Sequence, residues 1–217
     1  MPLHTSDALI LRTYKLGESD RIVVFLTRDR GKKRGVAKNA RQSRRRFGGA
    51  LEPMTVGRVG YVEREGRELV RLDYVEPVRS PMSAADGDAL GYVSYFAELV
   101  DEWAQDNDPN EPLFRLGASV VEALVAAGPG NNVAEALARY FEYWLLRLQG
   151  VYEDERRMSA ESRAFLDAAR TSSPFAIGRV PVSRRALKEI ETAHRQLIAM
   201  HLEKDLKSVR VLREMRR

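Results

Sequence analysis

Two hydrophobic rhythms divide this chain. Short apolar runs, some alternating with polar residues, fill roughly the first 80 positions; helical spacing follows. Residues 7–14 (DALILRTY) and 21–27 (RIVVFLT) are aliphatic and β-branched and predict strands, joined by a polar turn over residues 15–20 that contains Gly17. Residues 27–30 lead into a second turn at Gly31. Residues 32–38 (KKRGVAK) predict a third strand, so basic that at least half of it is expected in solvent. Residues 38–49 predict a loop that ends at Phe47-Gly48-Gly49. Residues 55–64 and 68–76 predict a hairpin across Glu65-Gly66-Arg67, with Val70, Leu72 and Tyr74 on a buried face and Arg71 and Asp73 on a wet one. Five short strands in so few residues predict a five-stranded barrel of the oligonucleotide-binding type, an OB fold. Pro77 and Pro81 place the domain boundary near residue 80.

The second rhythm predicts a C-terminal α-helical bundle of four to six helices over 81–217, making the chain α+β. Asp86 is placed to cap a helix to about Gln105, with Leu90, Val93, Phe96, Val100 and Trp103 on one face. The segment DPNEP, residues 108–112, breaks it. Leu113, Leu116, Val120, Leu124 and Ala127 form the next stripe, closed by Gly128-Pro129-Gly130. Asn132, followed by Glu135, is expected to start a third helix whose inner face is Val133, Leu137, Phe141, Trp144, Leu145 and Leu148, ending at Gly150. Residues 159–170 predict a short helix and 171–181 a loop. Ser183 is expected to cap a helix carrying Leu187, Ile190, His194, Leu197 and His201, with residues 205–213 continuing through Leu206, Val209 and Leu212. Trp103, Phe141 and Trp144 read as core.

Charge changes the picture. The formal net charge of +5 is unevenly spread. Residues 1–80 hold 18 basic against 10 acidic residues, 81–178 hold 7 against 16, and 179–217 hold 11 against 5. The two ends, rather than the middle, are thus expected to face an acidic partner. Ten of the cations lie in residues 28–46, RDRGKKRGVAKNARQSRRR, against one acid, Asp29. A polyanion, and first of all a nucleic acid backbone, is the expected partner. The half from 38 to 46 is the better candidate; Arg28 and Arg30 read as decoration of a turn. On a small barrel, aromatic faces add base stacking. The candidates are Tyr14, Phe47 and Tyr61. Phe47 follows three arginines in a Gly-rich loop, and its competing role is a plug for the barrel end.

Other chemistries find little support. There is no cysteine, which excludes a disulfide scaffold and a four-cysteine zinc site. No basic segment followed by a long apolar run opens the chain, and no run is long enough to cross a bilayer, so a soluble cytoplasmic protein with no membrane partner is expected. Gly31-Lys32 is no P-loop: Leu26 stands where the first glycine is needed and Lys33 where Ser or Thr is. His194 and His201 lack an HExxH context, and Glu63, Glu65 and Glu68 flank a turn, where acids serve solubility more often than metal binding. No nucleophile has a neighbouring base. The residues describe a binding protein without cofactor, metal or catalytic site.

The order of the motifs is similar to a known family. ALILRTYKLGESDRIVVFLT, the turn at Gly31 and GVAKNARQSRRRFGGALEP resemble the amino-terminal barrel of the RecO family of bacterial recombination-repair proteins, and LEKDLKSVRVL resembles the end of its helical domain. The resemblance implies binding of single- and double-stranded DNA, annealing of complementary strands, and engagement of the single-stranded-DNA-binding protein. It also implies action with RecR in loading the RecA recombinase, with no ATP hydrolysis by the protein itself. The DNA-contacting positions implied are Lys38, Arg41, Arg44, Arg45 and Arg46, beside Phe47 and with Lys32, Lys33 and Arg34 as neighbours. The binding protein's short acidic and apolar tail suits the basic carboxy-terminal region, with Lys204, Lys207, Arg210 and Arg213 as candidates. Many members carry a four-cysteine zinc element after the helix that ends here near Gly150. This chain has no cysteine there, so residues 152–182 are expected to be braced by packing alone. Two rivals remain: an RNA-binding or ribosome-associated barrel protein, and a metal-dependent nuclease or hydrolase.

Overall fold

The computed structural model describes residues 3–83, 87–128, 133–152 and 158–215. Five strands, β1 (Leu3–Leu16), β2 (Asp20–Thr27), β3 (Gly31–Ala37), β4 (Val56–Val62) and β5 (Val70–Arg79), close into a barrel in the order β1-β2-β3-β5-β4. All neighbours are antiparallel except β3 and β5, which close the ring through a short parallel pairing of Gly35, Val36 and Ala37 with Val70, Leu72 and the Arg71 between them. β1 is longer than its apolar run because residues 3–9 pair with β4 while the stretch from 8 to 16 pairs with β2. One strand thereby serves two sides of the barrel.

The runs ALIL and IVVFL lack alternation because both faces of β1 and β2 are covered. Ala8, Ile10, Val23 and Phe25 point into the barrel, where they meet Ala37, Val59, Tyr61, Leu72 and Val75. Leu9, Leu11, Val24 and Leu26 point outward and join the core of the helical part. The β4–β5 hairpin forms as expected, with one correction. The register slips between Gly60 and Tyr61, so that Gly60 faces Tyr74 but Tyr61 faces Leu72. This extra residue turns Tyr74 out and brings Val75 in, and a bulge is the usual way a strand bends to close a barrel. Tyr74 lies over Gly60, where an added Cβ would sit 2.1 Å from the ring.

The expectation of a half-exposed third strand is overturned: Lys32 and Lys33 are 8% and 9% exposed. The helical part supplies the cover. Helix α2 (Gly87–Trp103) stops two residues short of Gln105, and the chain then runs beside β3. The Lys32 N–H donates to the Gln105 carbonyl (3.1 Å), and the Asn107 N–H donates to the Lys32 carbonyl (3.0 Å). Gly31, at φ +72°, backs directly on Asp108; a Cβ there would lie 2.3 Å from the Asp108 nitrogen.

A four-residue turn of helix, α1 (Arg44–Phe47), sits in the loop between β3 and β4. Beyond α2 come α3 (Glu111–Ala127), α4 (Ala134–Leu148), α5 (Ala160–Thr171), α6 (Pro174–Ile177), α7 (Arg184–Leu202) and α8 (Lys207–Met215). Capping chemistry is explicit at three starts: Ser159 and Ser183, where the sequence reading begins a helix, and Asn110, inside the segment read only as a break. The Asn110 side chain accepts from Leu113 N–H, Ser159 from Ser162 N–H and Ser183 from Ala186 N–H. Asp86, Asn132, Pro129 and Gly130, the other expected boundary residues, lie outside the described residues. Two expectations are corrected. The loop at 171–181 contains the single turn α6. Residues 205–213 do not continue the preceding helix, because Glu203 adopts a left-handed conformation (φ 53°) and α8 starts afresh.

Trp103 and Phe141 are core, and Trp144, half-buried, donates Nε1–H to the Ala169 carbonyl (3.1 Å). Within the bundle lies a buried charged cluster. Glu142 accepts from the Tyr95 hydroxyl (2.8 Å), faces His194 Nδ1 (3.1 Å) and pairs with Arg139 (3.1 Å). Burial works against its charge, but Arg139 and His194 outweigh it and hold the Glu142 carboxyl below the usual glutamate range. The region expected to be braced by packing alone has a further brace. Glu189 of α7 accepts from Ser159 N–H at the start of α5 (3.2 Å), and Glu161 of α5 accepts from Ser183 N–H at the start of α7 (2.6 Å). Each helix supplies the anion that the other's N-terminus attracts.

Candidate nucleic-acid interface

The basic run separates into two halves with different surroundings. In the first half each cation lies beside an acid or another acceptor from within the chain. The Arg28 guanidinium donates to Glu111 (2.6 Å), and Arg30 lies 3.8 Å from Asp29. Lys32 Nζ donates to the Asp101 carbonyl (2.6 Å) and its carboxylate (3.3 Å). Lys33 Nζ donates to Glu63 (2.6 Å) and to the Asn107 side-chain oxygen (2.7 Å). Arg34 is exposed, 3.9 Å from Asp106. Lys32 and Lys33 are therefore structural ion-pair partners, a correction to their reading as neighbours of a nucleic acid backbone. Their hydrogen bond also explains Glu63: Lys33 pulls its carboxyl below the usual range against a smaller opposing effect of burial.

The second half is held as a loop against the β1–β2 turn. The Asn39 N–H donates to the Asp20 carboxylate (2.8 Å), with Asn39 itself left-handed at φ 53°. The Arg41 N–H donates to the Ser19 carbonyl (3.2 Å). Arg46 folds inward, donating to the Lys38 carbonyl (2.7 Å) and the Ser43 hydroxyl (3.0 Å), with its guanidinium 5.1 Å from the Phe47 ring centre. Lys38, Arg41 and Arg45 stay exposed, and among the described residues no acid pairs with them. The side chain of Arg44 lies outside the described residues.

Phe47 is 2% exposed and packs into the barrel interior with Ala50, so it is the plug and not a stacking face. Tyr61 is equally buried, edge-on to Phe25 (5.7 Å), and burial pushes its phenol up to about 12. Tyr14 is different: it is 48% exposed. Beside the plug runs a shallow groove of about 320 Å³ lined by Thr13, Arg21, Arg41, Leu51, Glu52 and Pro53. Arg21 pairs across the ribbon with Lys15, which adds two cations that the sequence reading did not single out. The signal available was symmetry: the two flank the turn at equal distance from its ends, with Leu16 opposite Asp20.

The basic carboxy-terminal region meets the acidic face of α2. Lys204 pairs with Glu102, and Glu98 accepts from the N–H groups of Lys207 (3.1 Å) and Ser208 (2.7 Å), capping α8 from another helix. Burial raises the Glu98 carboxyl, but the Ser208 and Lys207 donors and Arg12 together bring it below the ordinary 4.5. The Lys207 side chain is exposed, Arg210 lies 3.8 Å from Glu214, and the Arg213 side chain lies outside the described residues. The three histidines are apart in role: His4 beside Tyr61 (5.5 Å), His194 in the buried cluster, His201 stacked on Trp103 (5.4 Å). Among the described residues no group of three His, Asp or Glu side chains is placed to hold a metal ion. Nor is any described helix long and apolar enough to cross a membrane.

A closed five-stranded barrel with an exposed basic loop at one end, continued by a helical bundle, is an OB-type fold. Comparison with known proteins makes this specific. Residues 1–81 match the family described as Recombination protein O N terminal and residues 84–157 the one described as Recombination protein O C terminal, and the chain belongs to this family. DNA repair protein RecO of Koribacter versatilis (strain Ellin345) is 44% identical over 156 residues, covering 70% of this chain and 61% of that protein. DNA repair protein RecO of Anaeromyxobacter sp. (strain K) is 43% identical over 146 residues, 66% of this chain and 55% of its own length. The match thus spans little more than half of these two relatives. DNA repair protein RecO of Pelotomaculum thermopropionicum is 31% identical over an aligned length of 244 residues, 96% of this chain and 93% of that protein.

Proposed function

We propose that this chain is a DNA-binding recombination-repair mediator. It anneals complementary single strands and, acting with RecR, helps load the RecA recombinase onto DNA coated with single-stranded-DNA-binding protein. The observation that carries the reading is the loop on which Lys38, Arg41 and Arg45 stand exposed without an acid partner among the described residues. Cations left unpaired by the fold are available to replace counterions on phosphates, and affinity then falls with salt by a slope of about −0.7 per phosphate on single strands. Family membership and the repair role in the relatives' names support DNA as the polyanion. The barrel, residues 1–80, is the DNA-binding part, with Arg44 and Arg46 on the same loop. The helical part, 81–217, carries Lys207, Arg210 and Arg213 toward the acidic tail of the single-stranded-DNA-binding protein, with Lys204 at the margin because Glu102 holds it.

The role is binding without bond cleavage. Annealing of strands already coated with their binding protein tests it, wild type against Lys38→Glu/Arg41→Glu/Arg45→Glu. The expected result is annealing at least about tenfold slower in the variant, in line with three lost phosphate contacts. Undiminished annealing by the variant overturns the site. No annealing by the wild type, with tight binding of structured RNA, moves the protein to the RNA-binding alternative. Cleavage of labelled DNA on adding magnesium or manganese overturns the non-enzymatic assignment.

A further inference from the structure

Tyr14, Ile22 and Val36 form one row across the outer face of the barrel. They are direct partners in the register of β1, β2 and β3, and residues on either side of them (Thr13, Val23, Ala37) turn to the inner face. Farther down the barrel the same outer face is covered: Leu9, Leu11, Val24 and Leu26 lie under the helices. At the Tyr14 end the cover stops. Tyr14 is 48% exposed, Leu16 beyond it on the same face is also exposed, and Ile22 and Val36 are half-buried. Aromatic and aliphatic side chains thus lie open on the outer wall of the barrel.

What adjoins this row selects its occupant. β3 runs from Val36 through Ala37 directly into the Lys38–Arg45 loop. That loop is tied back to the β1–β2 turn by the bonds of Asn39 to Asp20 and Arg41 to Ser19. Exposed cations therefore border the row on the loop side, and exposed Arg34 stands in the next row inward. On the far side the acids of α2 set a limit: Asp101 takes Arg12 at 2.7 Å. A chain that is negative along one edge and flat and apolar along the other fits this surface. An unpaired nucleic acid strand has that shape; a duplex hides its base faces.

Resting on the DNA-binding reading above, we infer that Tyr14 is a base-stacking platform, and that it makes the surface prefer single-stranded over duplex DNA. The phosphates lie along the Lys38–Arg45 loop while one unstacked base lies on the Tyr14 ring, with Ile22 and Val36 flanking it. The interaction needs only a π-face, so it is indifferent to sequence.

The test compares Tyr14→Ala, Tyr14→Phe and wild type by fluorescence anisotropy on three ligands of equal length. These are an intact single-stranded oligonucleotide, the same strand with abasic sites throughout its centre, and a duplex. Loss of one stacked base is expected to weaken Tyr14→Ala on the intact strand by about 5- to 100-fold, with no change on the abasic strand or the duplex, and Tyr14→Phe is expected to bind as wild type. Equal binding of intact and abasic strands by the wild type overturns the inference, as does an equal loss by Tyr14→Ala on all three ligands. Either result leaves the DNA reading intact provided Lys38→Glu/Arg41→Glu/Arg45→Glu still loses affinity. If wild type binds none of the three, the DNA reading itself fails and this inference with it.

Discussion

Residues 28–34 and residues 38–46 carry five Lys or Arg each, yet the fold gives them opposite tasks. The first group meets Glu111, Asp101, Glu63 and Asn107, and two of its lysines are buried. The second group meets one backbone carbonyl and a hydroxyl through Arg46 and leaves Lys38, Arg41 and Arg45 in solvent. Composition does not separate the two. The difference lies in the acidic middle of the chain, whose helix α2 and following loop lie against β3 but do not reach the loop beyond it. Part of what looks like polyanion bait is internal glue between barrel and bundle.

The largest effect that tests this contrast is on stability. Lys32→Ala leaves the Asp101 carboxylate in a mostly buried position with Arg12 as its remaining counter-charge among the described residues. Unfolding free energy is expected to fall by about 2–3 kcal/mol, less than the full cost of orphaning a buried ion because Arg12 remains. Urea titration measures it, and a loss under 0.5 kcal/mol would erase the distinction between the halves. Next comes Glu98. Its folded carboxyl lies below its unfolded value, so its contribution to stability is complete above the ordinary 4.5 and disappears as pH falls through the folded value. Glu98→Gln is expected to cost about 1 kcal/mol through the α8 cap and to flatten the acid limb of stability against pH. Hydrogen exchange at Ser208 N–H reports the same event locally. A smaller effect is expected for Arg28→Ala, whose pair with Glu111 is exposed and screened by solvent: a urea midpoint close to that of the wild type. The smallest stability change, within about 0.5 kcal/mol, is expected for Lys38→Ala and Arg41→Ala. Those two show themselves elsewhere, each lowering the salt slope of single-strand binding by about 0.7.

The strands and helix starts were legible because local chemistry carries them. ALIL and IVVFL predict strands whatever covers them, and Asn110, Ser159 and Ser183 cap helices with their own side chains. Features set by distant partners were hidden. Lys32 and Lys33 look like surface residues until Asp101 and Asn107, 69 and 74 positions away, are folded against them. Phe47 sits among arginines and glycines, where a stacking face and a barrel plug read alike, and only the fold decides for the plug. The register slip at Gly60 moves Tyr74 and Val75 to faces opposite those that strict alternation assigns. Of the candidate interface, the loop cations follow from the sequence; Lys15 and Arg21 require the hairpin register.

Chain order gives the outer rows of β1 and β2 one more consequence. During synthesis the barrel strands leave the ribosome before α2 and α3, so Leu9, Leu11, Val24 and Leu26 wait in water for the helices that will cover them. Each is worth about 1.5–3 kcal/mol of burial once covered. A fragment of residues 1–80 expressed alone would keep that strip bare and is expected to self-associate on size-exclusion chromatography. The barrel for which we propose a DNA-binding role is, farther along the same outer face, an unfinished surface until its own chain completes it.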